Sequence, residues 1–214
     1  MSDENEFEQR FADREETAVE LKNSLIVRVF GPYMGKCSYI LKSATEKIRE
    51  KENYDARICI EVPEIQPIEA MDKGPVYNLA ASRECMFQAD AAVFVLMESL
   101  PRRFDPDDPN EESEEGEDTD IRCPQDLNSS VIIELSEWIS RSPRTDSCLV
   151  IYENGLEEDI GSLVRGLVMS GDITTRYIDT STEQDATDQL YRAISGQCRT
   201  WTNRFEALLQ TRID

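Results

Sequence analysis

Histidine is absent from this chain of 214 residues. No imidazole of its own can therefore serve as general base, metal ligand or member of a catalytic triad. Lysine is scarce as well, at six, and Lys plus Arg reach only 23 against 44 Asp plus Glu, a formal net charge of −21. Nucleic acid and anionic lipid are held chiefly by cationic side chains, and no basic patch stands out, so neither is an expected partner. Paired cysteine motifs are missing too. The six cysteines, at 37, 59, 85, 123, 148 and 198, lack ligand spacing. That argues against a metal centre and against a disulfide framework, and most fall in apolar patterns where a free thiol behaves as a small hydrophobe. No apolar run approaches the ~18 residues of a membrane span. The start, MSDENEFEQRF, lacks the basic and apolar regions of an export signal. A cytoplasmic location is expected, with no metal and no cofactor.

What is present is enough for a core. Hydrophobic residues make up 39% of the chain, more than a disordered segment carries. The excess of carboxylates over the whole length reads as a surface suited to a salt-rich, halophile-like cytoplasm, where screening removes most self-repulsion.

Patterning predicts strands at Leu25–Phe30, Ala56–Val62, Ala91–Met97, Ser147–Tyr152 and Ile173–Ile178, each short, apolar and closed by a turn or breaker. Between them, apolar spacing of three and four predicts helices over Cys37–Asn53, Val76–Gln88, Asn128–Arg141 and Leu156–Met169, with a last one over Glu183–Gln210. Strands alternating with helices of this length mean βαβ units and a parallel sheet covered on both faces. Right-handed crossovers reduce the choices further. The expected fold is α/β, a Rossmann-like or flavodoxin-like three-layer sandwich with a five-stranded parallel sheet in the order 2-1-3-4-5.

Three regions divide the chain. Residues 1–22 form an acidic segment, 23–182 the α/β domain, and 183–214 a long C-terminal helix. Within the domain, 101–126 is expected to be a disordered acidic insertion, since ten of the sixteen residues from Asp105 to Asp120 are acidic. Along the last helix, Tyr191, Ile194, Cys198, Trp201, Phe205 and Leu208 recur at intervals of 3, 4, 3, 4 and 3. That heptad-like seam could join two chains as a homodimer, or pack on the N-terminal segment through Phe7 and Phe11.

In such sheets ligands gather outside the carboxyl ends of the strands, where the strand order reverses. The loop after the first strand, Gly31-Pro32-Tyr33-Met34-Gly35-Lys36-Cys37, is not a P-loop. Three residues instead of four separate its glycines, and a cysteine replaces the Ser or Thr that would hold magnesium. Its glycine still permits close approach of a ligand to the backbone, or simply ends the strand with Pro32. The second candidate is Asn128-Ser129-Ser130-Val131-Ile132-Ile133-Glu134-Leu135. Asn and Ser read as caps, which places Glu134 in about the first helical turn, at the margin of a buried stripe of Val131, Leu135, Trp138 and Ile139. A carboxylate there could serve as nucleophile or base, or could be favoured by the helix macrodipole alone.

These segments resemble the nucleoside 2-deoxyribosyltransferase-like superfamily, in the manner of uncharacterised haloarchaeal proteins related to it. Val29-Phe30-Gly31-Pro32-Tyr33 is similar to its first strand and Gly-Pro-aromatic loop, and Gln88 to Leu96, with Asp90, to its entry into the third strand. Asn128 to Leu135 is similar to its Gly-Thr-x-x-Glu helix start, with Ser130 at the glycine, Val131 at the threonine and Glu134 at the nucleophile. The resemblance implies cleavage of an N-glycosidic bond in a nucleoside or nucleotide, or deoxyribosyl transfer. Glu134 would attack, Glu98 would help protonate the leaving base, and Gly31, Pro32, Tyr33, Asn128 and Ser130 would border the substrate. The same sheet and glutamate also suggest a non-catalytic nucleotide-binding or interaction module. A third possibility is a TIR-like domain that cleaves NAD at its nicotinamide bond.

Overall fold

The computed structural model describes residues 22–33, 35–62, 75–98, 124–141, 145–156, 160, 162–171 and 173–210. Residues 1–21, with Phe7 and Phe11, and residues 99–123, most of the expected acidic insertion, lie outside the described residues.

The central strands are the apolar ones. β1 (Ile26–Phe30), β3 (Ala91–Leu96) and β4 (Cys148–Glu153) are buried along almost their whole length, as strands covered on both faces must be. β2 (Asp55–Ile58) and β5 (Thr174–Ile178) carry polar residues and form the edges. All pairs are parallel, and the order is β2-β1-β3-β4-β5. Asp90 fixes the register between β1 and β3. Its carboxylate accepts the N–H of Ile26 at 2.9 Å, while its own N–H donates to the Ile26 carbonyl at 2.9 Å.

Because the chain leaves β1 in one direction and passes back beyond it to β3, right-handed crossovers send the helices to opposite faces. α1 (Gly35–Glu52) and α5 (Glu183–Gln210) cover one face, burying Ile40, Leu41 and Ile48 with Leu190, Ile194 and Trp201 against Val27, Val29, Val95 and Ile151. α2 (Pro75–Phe87), α3 (Pro124–Arg141) and α4 (Ser162–Ser170) cover the other, where Phe30 stacks on Phe94 at 5.1 Å and Trp138 meets Phe94 edge-on at 6.4 Å. This is a three-layer α/β sandwich of the Rossmann-like class. Among the described residues no helix is long and apolar enough to cross a membrane.

Several boundaries differ from the patterned expectation. The second strand ends at Ile58 rather than Val62, because Cys59–Glu61 coil into a 3₁₀ turn closed by the Val62 N–H on the Cys59 carbonyl at 3.3 Å. The helix expected from Leu156 is continuous only over Ser162–Ser170. The helix expected from Asn128 begins at Pro124, so residues 124–126 belong to α3 rather than to the insertion. Proline suits that first helical position because its missing N–H would have no partner there.

The seam on α5 is taken up within the chain as far as Phe205. Ile194, Cys198 and Trp201 are core residues, and Tyr191 and Phe205 pack against them, which leaves Leu208 exposed. The Trp201 indole N–H also donates to the Asp146 carbonyl at 3.0 Å. The five described cysteines are buried and free of disulfides.

α5 runs unbroken through Gly196, and α4 through Gly166; a Cβ at either would meet nothing within 4 Å. Glycine in a helix interior costs about 0.5–1 kcal/mol relative to alanine. Gly166→Ala and Gly196→Ala should therefore each raise unfolding stability by about that amount in urea titrations. A loss of stability in either would contradict the continuous, uncrowded course of these helices.

Candidate functional site

Starting α3 at Pro124 moves Glu134 ten residues, almost three turns, into the helix. Macrodipole effects fade within the first turn, so they do not account for a carboxyl at this depth. Val131, Leu135 and Trp138 turn to the sheet, and Glu134 lies on the flank that meets α2. One α2 residue further on, Arg83 binds Glu137 of α3, its Nε donating to both carboxylate oxygens at 2.9 Å, which pins the two helices together.

Glu134 is 7% exposed. Its Oε1 accepts the Ser82 hydroxyl, and its Oε2 is buried with no hydrogen-bond partner among the described residues. Burial pushes the carboxyl from 4.5 up to about 7; the Ser82 hydrogen bond opposes this and the charge of Glu137 adds to it. Tyr33, half-buried in the loop after β1, donates its hydroxyl to the Val29 carbonyl at 3.0 Å. Burial, and then the charge of Glu134, hold that phenol well above its ordinary range. Cys59, just past β2, is hydrogen-bonded to Cys85 of α2. That bond and burial raise the Cys59 thiol, with Glu134 contributing and Arg28 opposing. Tyr33, Cys59, Ser82, Cys85 and Glu134 thus converge beside the carboxyl ends of β1 and β2. A carboxyl poised near pH 7 can exchange protons with a ligand, and its ionised form is a nucleophile.

The other residues singled out in the sequence go elsewhere. Gly31 is buried against α1, where an added Cβ would stand 2.6 Å from Leu41 Cδ1, so its open side is filled by the core. Pro32 is buried beside it. Asn128 is not a cap: from the second turn of α3 its Oδ1 accepts the Met97 N–H and its Nδ2 donates to the Met97 carbonyl, both at 3.2 Å. Ser130 is exposed on the outer side of the helix. Glu98 donates its backbone N–H to Glu153 Oε2 at 2.6 Å.

Two residues escaped the sequence reading. Ser82 gave no signal, being one polar residue inside a weakly patterned helix. Glu153 could have been found, since it closes an otherwise apolar strand at the ligand edge of the sheet. It is 7% exposed; its Oε1 accepts the Thr180 hydroxyl, so it ties β4 to the segments after β3 and β5. Burial, and then the charge of Glu153, push the Cys37 thiol up to about 12.

No family model matches the chain, and no curated protein or solved structure matches it either.

The geometry makes two predictions about stability. Asn128→Ala strands two buried backbone groups of Met97 and should cost about 2 kcal/mol in urea unfolding; a change under about 0.5 kcal/mol would contradict the splice. Glu134, with its proton affinity raised on folding, favours the folded state fully below pH 4.5 and loses that contribution as pH rises through about 7. Glu134→Gln, which resembles the neutral acid, should match the wild type near pH 4 and exceed it by on the order of 3 kcal/mol at pH 8. A difference independent of pH would contradict the burial.

Proposed function

We propose that the protein cleaves the N-glycosidic bond of a nucleoside or nucleotide, or transfers its deoxyribosyl group, with Glu134 as nucleophile. The observation that carries this reading is the Glu134 carboxyl itself, withdrawn from water, with Oε2 unpaired among the described residues and Tyr33 of the first loop at its side. In the reaction, Oε2 bonds to the anomeric carbon while the carbon–nitrogen bond breaks and its electron pair leaves with the base. The base then takes a proton, from water or from Glu98, the donor that the resemblance implies and that stands past the end of β3. Water or a second base releases the sugar from the ester. Only ionised Glu134 can attack, so turnover should rise with pH through about 7.

A second reading is a nucleotide-binding module without turnover. It is favoured by the occupation of Gly31 and Asn128 in packing and backbone contacts, which removes two expected substrate neighbours. Ligand binding that survives Glu134→Gln with no turnover by the wild type would select it.

Incubation with mixed deoxynucleosides and NAD in molar salt, followed by chromatography for free base, tests the first reading. The wild type should release a nucleobase, and Glu134→Gln should reduce the rate by about 10³ or more. Nicotinamide release from NAD alone would point to the TIR-like chemistry. Absence of any free base, or equal release by Glu134→Gln, would refute Glu134 as nucleophile.

A further inference from the structure

Ser82 has no part in the chemistry set out above, yet among the described residues it is the side chain that hydrogen-bonds the Glu134 carboxyl. It is 6% exposed, inside α2. A serine in a helix interior commonly turns its hydroxyl back to a carbonyl one turn earlier, competing with the helix's own bonds. Ser82 reaches across to α3 instead. The result is a carboxyl with two inequivalent oxygens: Oε1 is held, and Oε2 is buried with no hydrogen-bond partner among the described residues. The adjacent Arg83–Glu137 pair joins the same two helices and so fixes the level at which the serine meets the glutamate.

On the reading that Glu134 is the nucleophile, we propose that Ser82 is its positioning residue, clamping Oε1 so that Oε2 is the oxygen presented to the ligand. The titratable and charged groups around Glu134 are Tyr33 after β1, Cys59 after β2, Cys85 on α2, and Glu137 on α3 with its partner Arg83. Tyr33 donates to Val29 and the two thiols hydrogen-bond each other, so the donor committed to the carboxyl is Ser82. A hydroxyl donating to a carboxylate favours the ionised form, so Ser82 opposes the effect of burial and keeps a reactive fraction near neutral pH. Orientation and, against the effect of burial, ionisation would then both depend on one hydroxyl.

The test compares wild type with Ser82→Ala and Ser82→Thr, each also combined with Glu134→Gln. One readout is the pH profile of kcat and kcat/KM for base release. The other is the change in stability that Glu134→Gln produces at each pH, in each Ser82 background, which reports ionisation without needing turnover. Ser82→Ala should move the rising limb, and the stability transition with it, upward by about one pH unit, and should lower kcat more than it changes KM. Ser82→Thr should restore both. If Ser82→Ala leaves the limb and kcat unchanged while Glu134→Gln abolishes turnover, the positioning role fails and the nucleophile stands. If the wild type releases no base, the nucleophile reading falls and takes the positioning role with it, even where the stability transition moves.

Discussion

Withdrawing the Glu134 carboxyl from water, while giving it one hydrogen bond, sets the properties of the whole site. Burial favours the neutral acid, and the Ser82 hydroxyl favours the ionised form. The two effects leave the group near pH 7, whereas a solvated glutamate would be fully charged. Burial holds the Tyr33 phenol protonated, and the Cys85 hydrogen bond with burial does the same for the Cys59 thiol; the charge of Glu134 adds to both. The phenol and thiol nearest the carboxyl therefore stay neutral, while Glu134 itself can change charge near pH 7.

Sheet topology makes that convergence possible. Between β1 and β3 the strand order reverses, so α1 and α2 leave on opposite faces, and the loop after β1 falls where their paths separate. Tyr33 packs against both apolar clusters and folds its hydroxyl back to Val29. Small polar splices hold the frame. Asp90 locks the start of β1 to β3, Asn128 locks α3 to the end of β3, and Glu153 gathers the ends of the last strands. Each is a polar side chain whose partners include backbone groups, which fixes position more sharply than apolar packing does.

The fold was legible because burial has a period. β3 and β4 read as unbroken apolar runs, α5 as a stripe of three and four, and handedness then left little freedom in connection. Boundaries were less legible where composition misleads. Asn128-Ser129-Ser130 looks like a cap, but the helix starts four residues earlier at Pro124, whose meaning was hidden at the margin of an acidic stretch. That error placed Glu134 in the first turn and made the macrodipole a competing explanation, which its true depth removes. Tyr33 could be singled out because it follows a strand's carboxyl end in the chain, and Glu134 because it stands at the margin of an apolar helical stripe. Ser82 could not, since its role depends on how two helices pack, and no local pattern encodes that pairing.

The central claim is that Glu134 changes charge near neutrality. Its carboxyl ¹³C resonance, in protein labelled at glutamate and assigned by its disappearance in Glu134→Gln, should titrate with a midpoint at about 7. A midpoint near 4.5, that of an ordinary glutamate, would mean the carboxyl is solvated and would contradict the account of the site.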